Sequence, residues 1–514
     1  MPNPQLSAPG VYLTEVVGGT RTVTGVTTAV TAFVGRALRG PVHEPVPLSS
    51  MSEFEQVFGG LWRDSGLGYA VRDFYLNGGG TALVVRLAGG AGTARMDAGG
   101  LPLTAAGPGS WGNDLVARVT YPTDQDAGEV ARNLSVDGGV LFNLEVWEAG
   151  GGDRESFLNL TLDDGPRRVD RVLENSRLVR AGTLPQGTAR PQKGQYQVVA
   201  ASSGDDGNDL EVSDYLGQQG EDFQGTGRGL YMLNRADLFN LLCLPPSRPD
   251  GDLNPAIWSE AARLCADHRA FLLIDPPADT PIGTVRAWVA GLGLAGDVLR
   301  DAALYVPRIR HADPLRDGAL GTFAPCGTIA GVMARTDASR GVWKAPAGLD
   351  AGIVGATGLE QLVGDTESGT LNPLGINCLR TFPQAGTVVW GARTLRGADA
   401  LADDYKYVPV RRFALFLEES LYRGTQWVVF EPNDEQLWSQ IRTSLGSFMQ
   451  DLFRQGAFQG RTPREAYFVA CDAETTTQYD IDRGIVNIRV GFAPLKPAEF
   501  VVITVQQKTA DAVG

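Results

Sequence analysis

Apolar residues in this chain fall into two kinds of run, and each predicts an element. Short, continuous apolar runs predict buried strands at Ala29–Val34, Ala82–Leu87, Phe239–Leu244, Ala270–Ile274 and Ala303–Val306. Between them the pattern predicts helices at Tyr69–Leu76, Pro255–His268, Pro281–Leu292 and Ala324–Thr336. Ser52-Glu53-Phe54-Glu55 reads as a capping box opening a short helix that ends at Gly59-Gly60. Asn77-Gly78-Gly79-Gly80 stops the helix that begins at Tyr69. Alternation of this kind implies a mostly parallel sheet covered by helices.

The pattern changes twice along the chain. Between residues 99 and 225, short apolar runs such as Leu115–Val119 and Leu141–Trp147 alternate with Gly/Asp/Pro-rich loops, predicting an inserted β-rich domain. Residues 339–372 are Gly-rich and charged and read as a linker. Tyr405–Asp482 then forms an α/β unit. Phe413, Phe416, Leu417 and Leu421 fall at helical spacing, and Arg423-Gly424 suits a helix end. Trp427-Val428-Val429-Phe430 predicts a short buried strand, and Tyr467-Phe468-Val469-Ala470 another. From Asp434, Leu437, Trp438, Ile441, Leu445, Phe448, Met449, Leu452 and Phe453 make one broad apolar helix face. Ile485–Val490 and Phe500–Val505 are further strand-prone runs, as is Val11–Val17 near the start, followed by Gly18-Gly19 and the Thr/Val-rich run from Arg21 to Thr28. The first of these either pairs within its own domain or is a detached arm that adds a strand to a neighbour. Phe500–Val505 must pair somewhere, because left open it is an aggregation hazard.

Size and charge narrow the classes. A chain of 514 residues exceeds one hydrophobic core and implies two to four domains. With 45 Lys+Arg against 59 Asp+Glu the net charge is −14, a poor match to a phosphate backbone, so no nucleic-acid partner is expected. The 5 cysteines are odd in number, far apart and without a CxxC, as in a protein folded in a reducing cytoplasm. The first residues lack the pattern of a signal peptide, and no run is long enough to span a bilayer, so cytoplasmic assembly without membrane insertion is expected.

The motifs with chemical potential lack their context. Gly291–Gly296 matches GxGxxG, but a helix-like run precedes it and a strand follows, the reverse of a dinucleotide site. Gly107-Pro108-Gly109-Ser110-Trp111-Gly112 comes close to a nucleophile elbow, yet Pro108 stands where the glycine should. Ser202–Asp209 fails the EF-hand order and reads as a solvated turn. His43, His268 and His311 form no metal-like pair, and Asp472, Glu474, Asp480 and Asp482 read as a solvated loop. No catalytic residue, metal or cofactor is expected. Arg411 and Arg412 open a helix, where the dipole disfavours positive charge, so they are expected to answer a carboxylate of this chain or of a neighbour.

Several long phrases resemble the contractile tail sheath proteins of phage tails and phage-tail-like injection systems. They are APGVYLTEV and the run from GVTTAVTAFVGR near the start, WKAPAG at 343–348, NPLGINCLRTFPQAGTVVWGARTL at 372–395, VRRFALFLEESLYRGTQWVVFEPN from Val410, GRTPREAYFVACD, and YDIDRGIVNIRVGFAPLKPAEFVV. The resemblance is weakest across 99–225.

It implies a multidomain α/β and α+β chain. An N-terminal arm occupies 1–28, and a discontinuous, subtilisin-like α/β middle domain without a triad occupies 29–98 plus 226–371. An inserted β-rich outer domain covers 99–225, an α/β C-terminal inner domain 372–497, and a C-terminal arm 498–514. It implies a structural subunit, not an enzyme, that stacks as hexameric rings in a helical assembly around an inner tube protein. Contraction from a metastable extended state would drive the tube through a target envelope. Strand exchange would use Val11, Tyr12, Leu13, Thr14, Glu15 and Val16 at one end and Phe500, Val501, Val502, Ile503, Thr504 and Val505 at the other. Glu435, Arg442 and Arg454 are the candidate tube contacts, and Arg411 and Arg412 candidate inter-subunit charge contacts. The expected partners are further copies, the inner tube, and baseplate and terminal cap proteins, in a virion or tail-like particle released by lysis. A subtilisin-like hydrolase is the competing reading.

Overall fold

A computed structural model describes residues 22–122, 131–134, 138–151, 154–184, 190–217 and 227–501. The chain divides into a large unit, Thr27–Leu415 with the segment from Lys496, and a small unit that holds Phe416–Leu495 with the residues up to Val26.

The large unit is built on an eight-stranded sheet. Its spatial order is Gly386–Trp390, Ile376–Phe382, Ala302–Val306, Phe271–Ile274, Leu241–Cys243, Thr31–Arg36, Ala82–Leu87 and Pro45–Leu48. The six inner strands run parallel, and each edge strand is antiparallel to its neighbour. The inner strands are continuous apolar runs because both faces are covered. One face packs Trp258, Ala261, Ala262 and Cys265 of the Pro255–Asp267 helix. The other packs the helices Met51–Phe58, Leu67–Leu76 and Cys326–Arg340. Two of these helices meet backbone to backbone at Gly327, where an added Cβ would stand 2.0 Å from the Ala70 carbonyl oxygen. The short Met51 helix is capped by Ser50, whose hydroxyl accepts from Glu53 N–H, rather than by Ser52.

The inserted region carries its own core. A four-stranded antiparallel sheet (Gly194–Gln197, Leu115–Thr120, Phe142–Glu148, Arg154–Leu160) and a three-stranded one (Arg95–Asp97, Pro102–Ala105, Val179–Ala181) enclose Leu103, Val119, Phe142, Leu144 and Leu160. Residues 372–395, expected to open the C-terminal domain, lie instead in the large unit. Ile376, Asn377 and Cys378 pair in parallel with Leu304, Tyr305 and Val306, and this apolar start of the strand is buried in the main sheet.

The small unit contains the helix Glu435–Arg454 and a two-stranded sheet, Tyr467–Ala470 with Arg489–Phe492. The helix Val408–Thr425 spans the chain position at which the large unit gives way to the small one. Gly424 does not end this helix. It admits Val23, because an added Cβ would lie 2.6 Å from a Val23 methyl carbon. Val26 N–H donates to Ser420 Oγ nearby (3.1 Å). In an open helix position Gly→Ala gains up to about 1 kcal/mol. Here Gly424→Ala is expected to lose about 1–3 kcal/mol by overpacking, and Val23→Ala should rescue it, as urea midpoints of the single and double variants will show.

Asp275 follows the Phe271–Ile274 strand, fully buried, and accepts the Cys326 N–H (2.8 Å). Burial pushes its carboxyl up to about 6, against the opposing pull of Cys326 and Arg308. The folded state therefore keeps a proton that the unfolded chain, with a carboxyl near 3.9, has lost. Stability should fall as pH rises from about 4 to about 6, by on the order of 2 kcal/mol, and then level off. Asp275→Asn should flatten that part of the profile in urea titrations across the window.

Candidate functional site

The helix Glu435–Arg454 is opened by Asp434, whose carboxylate accepts from Leu437 N–H (2.9 Å). Leu437, Trp438, Ile441, Leu445, Phe448, Met449 and Leu452 are buried, so the apolar stripe is core and only the opposite flank is available to a partner. On that flank Arg442 donates to Glu435 (2.6 Å) and to the Cys471 carbonyl oxygen. Arg454 lies further along, largely exposed, with Asp451 3.5 Å away. The fold thus brings Glu435 and Arg442 together one heptad apart and leaves Arg454 separate.

The run Trp427–Phe430 is not a strand. The preceding helix continues to Thr425, a 3₁₀ turn takes Gln426–Val428, and Pro432 follows two residues after Phe430. Too few residues remain to form a strand, and Phe430 sits at φ +68° and 103% exposed.

Arg411 and Arg412, expected to answer a carboxylate of this chain or of a neighbour, each find one within this chain. Arg411 donates to Asp301 (2.6 Å), whose carboxyl burial pushes up against the pull of that arginine. Arg412 grips Asp337 with both terminal nitrogens (3.0 and 2.6 Å) and donates to the Thr28 carbonyl oxygen (2.8 Å). Arg412 is buried, so a neighbouring molecule cannot reach it.

Of the expected arms, Val11, Tyr12, Leu13, Thr14, Glu15 and Val16 lie outside the described residues, as do Val502, Ile503, Thr504 and Val505. Phe500 and Val501 are described, exposed and unpaired with any strand among the described residues. Just before them Glu499 is held by Arg393, with Nε to Oε1 at 2.8 Å and Nη2 to Oε2 at 2.5 Å. Burial pushes the Glu499 carboxyl up, but Arg393, Lys406 and the Tyr407 hydroxyl together draw it below the usual range. Sequence reading missed Arg393, Glu499, Asp301 and Asp337, because each pair is far apart in the chain and no local pattern marks it.

The place where an α/β sheet usually holds a ligand is filled from within. Where the strand order reverses, between Thr31–Arg36 and Leu241–Cys243, buried Arg36 donates to Asp209 (2.7 Å). Arg248 grips the same carboxylate (2.8 Å), and Asp206 accepts from Ser110 N–H and Oγ (2.7 Å each). The acidic loop 202–209 is therefore a docked plug rather than a free turn. His311 meets Asp73 (3.1 Å), His268 meets Asn234 (2.8 Å), and His43 accepts from Gly229 N–H (3.4 Å). Among the described residues, no cluster of acidic, His and Cys side chains is placed to hold a metal, and no helix is long and apolar enough to cross a membrane.

Residues 234–395 match the phage tail sheath protein central domain, and residues 402–508 match the phage tail sheath C-terminal domain. The two matches adjoin in order and together cover more than half of the chain.

The chain belongs to the phage tail sheath family.

The tail sheath protein of Vibrio phage KVP40 is 26% identical over 189 residues, a match that covers 36% of this sheath chain and 26% of the phage protein. The chain thus spans about a quarter of the length of that curated relative. Among solved structures, the PVC sheath complex of an extracellular contractile injection system, in its contracted state, superimposes with a TM-score of 0.58 at 22% identity, covering 98% of each chain. A sheath tail protein from Listeria innocua superimposes at 0.59 and 15% identity, covering 92% of this chain and 96% of that one. At these identities the likeness shows the fold: a mixed α/β multidomain sheath chain. Family and neighbours are structural proteins, so the hydrolase reading falls.

Proposed function

We propose that this chain is the sheath subunit of a contractile injection system. Copies stack as six-fold rings into a helical sleeve around an inner tube, and contraction of the sleeve drives the tube through a target envelope. The observation that carries this reading is the pair of adjoining family matches on a chain whose whole length superimposes on injection-system sheath chains. Neighbours of the same fold come from a helical sheath in the contracted state and from a six-fold symmetrised baseplate, which supports homopolymerisation and baseplate association. The proposal keeps a subtilisin-like middle domain without a triad, an outer inserted domain and an inner C-terminal part.

Strand exchange through Val11–Val16 and Phe500–Val505 links the copies, because an extended segment offers a full ladder of main-chain hydrogen bonds to a sheet edge. The Tyr467–Ala470 and Arg489–Phe492 pair supplies such an edge, since among the described residues each strand pairs on one side only. Glu435, Arg442 and Arg454 face the tube. Terminal cap proteins close the sleeve, and assembly takes place in the cytoplasm. Contraction needs no nucleotide if it enlarges the contacts between copies. Each Å² of apolar surface buried yields about 25 cal/mol, and the gain repeats at every subunit.

Expression of the full chain, alone and with a tube protein, followed by negative-stain microscopy, tests the reading. Hollow tubes or helical sleeves are expected. A protein that stays strictly monomeric at high concentration in both conditions would overturn it.

A further inference from the structure

We propose that two buried arginines, Arg393 and Arg412, are positioning residues that fix where the terminal segments leave the large unit, at Glu499 and at Thr28. The proposal rests on the arm reading above and adds the device that sets each arm's register.

Arg393 has no exposed side-chain surface. Its backbone is locked first: its N–H donates to Asn377 Oδ1 (2.7 Å), and its carbonyl oxygen accepts from Asn377 Nδ2 (2.8 Å). Asn377 is itself fully buried in a strand of the main sheet. The guanidinium then takes Glu499 with two nitrogens and gives the third to Asp399 (2.9 Å) and the Gly397 carbonyl oxygen (3.2 Å). The Tyr407 hydroxyl donates to Glu499 Oε2 (3.2 Å). The next two residues, Phe500 and Val501, are 75% and 80% exposed. Seated chain thus gives way to solvated apolar chain within one residue.

The other end repeats the arrangement. Arg412 and Asp337 are both buried, and each bonds Thr28: Arg412 Nη2 donates to its carbonyl oxygen (2.8 Å), and its hydroxyl donates to Asp337 Oδ2 (2.7 Å). Both the backbone and the side chain of Thr28 are therefore held by one ion pair.

A merely stabilising contact would not need this chemistry, since well-packed apolar residues often stabilise as much as a buried ion pair. What a bidentate arginine–carboxylate pair adds is geometry, because it fixes orientation as well as distance. A strand-adding arm needs that, since a slip of one residue turns every side chain to the opposite face of the sheet. With Glu499 fixed, Phe500 starts the arm without slack.

The test uses the full chain. In Glu499→Gln, hydrogen exchange of residues 393–397, whose amides are all bonded beside the clamp, should rise at least tenfold (~1.4 kcal/mol per factor of ten). Exchange in the Ala302–Val306 strand should stay unchanged, and the yield of tubes should fall at least as steeply. Glu499→Asp, which restores the charge, should recover part of both. Unchanged exchange at 393–397 would show that Glu499 is not coupled to Arg393, so that Arg393 does not hold the root. Raised exchange with normal tubes would show that the clamp does not set assembly. Should Glu499→Gln fail to fold, Thr28→Val applies the same two readouts at residues 27–30 while keeping the Arg412–Asp337 pair. Truncation before Phe500 separates this inference from the arm reading. Normal tubes after truncation count against the arm itself, whereas lost tubes after truncation with normal tubes in Glu499→Gln count against the clamp alone.

Discussion

Removing residues 1–18 leaves a folded chain that no longer forms tubes. This is the expected result of the largest single change that strand exchange allows, and it follows from where the described chain begins to be held. From Val23 onward the segment is seated on its own small unit, through Val23 against Gly424 and Val26 N–H on Ser420. A deletion that stops at residue 18 spares every contact recorded among the described residues, which begin at residue 22. The cores on both faces of the main sheet lie wholly within the retained residues. Thermal unfolding should shift by less than the few degrees that about 1 kcal/mol produces in a chain this size. Assembly should respond differently. In the proposed sleeve each arm joins two copies, and many joined copies raise its avidity by a factor of about 10² or more over one contact. Loss of one arm per copy should lower tube yield by at least that factor. Light scattering and negative-stain microscopy of wild type and truncation at equal concentration measure it. Tubes of normal yield and length would rule out strand exchange at this end.

How much of this could be read from sequence depends on the range of the interaction. Elements set by local pattern were legible. The strands around Phe33, Val84, Leu272 and Leu304 and the helix from Asp434 lie where the apolar spacing puts them. Failures came where a distant partner decides. Trp427–Phe430 has strand composition, but the preceding helix extends to Thr425 and leaves no length for a strand. Ile376–Cys378 looks like the opening of a new domain, but it finds Leu304–Val306 and completes the old one. The carboxylates at 206 and 209 look solvated by composition, yet each is taken up by a group far away in the chain. The same holds for the candidate site. Arg411 and Arg412 were visible as charges in an unfavourable place, but which carboxylate answers each one is a property of the folded chain.

Arg412 gives the second large effect, on stability rather than assembly. Its guanidinium and the Asp337 carboxylate have 3% and 5% of their side-chain surface exposed. Arg412→Ala removes three hydrogen bonds and leaves a carboxylate with only Thr28 beside it in a site that water hardly reaches. An uncompensated buried charge of this kind costs about 3–5 kcal/mol. Arg412→Lys keeps the charge but cannot reproduce the two parallel bonds to Asp337, so it should fall between wild type and alanine. Arg412→Met combined with Asp337→Asn removes both charges while keeping the volume, and should recover much of the loss. The exposed pair Arg454–Asp451 provides the control: truncating that arginine should cost no more than about 0.5 kcal/mol. Urea unfolding of the four variants decides the matter. If Arg412→Ala loses less than about 1 kcal/mol, the pair is screened by water despite its burial, and Arg412 cannot hold Thr28 against load.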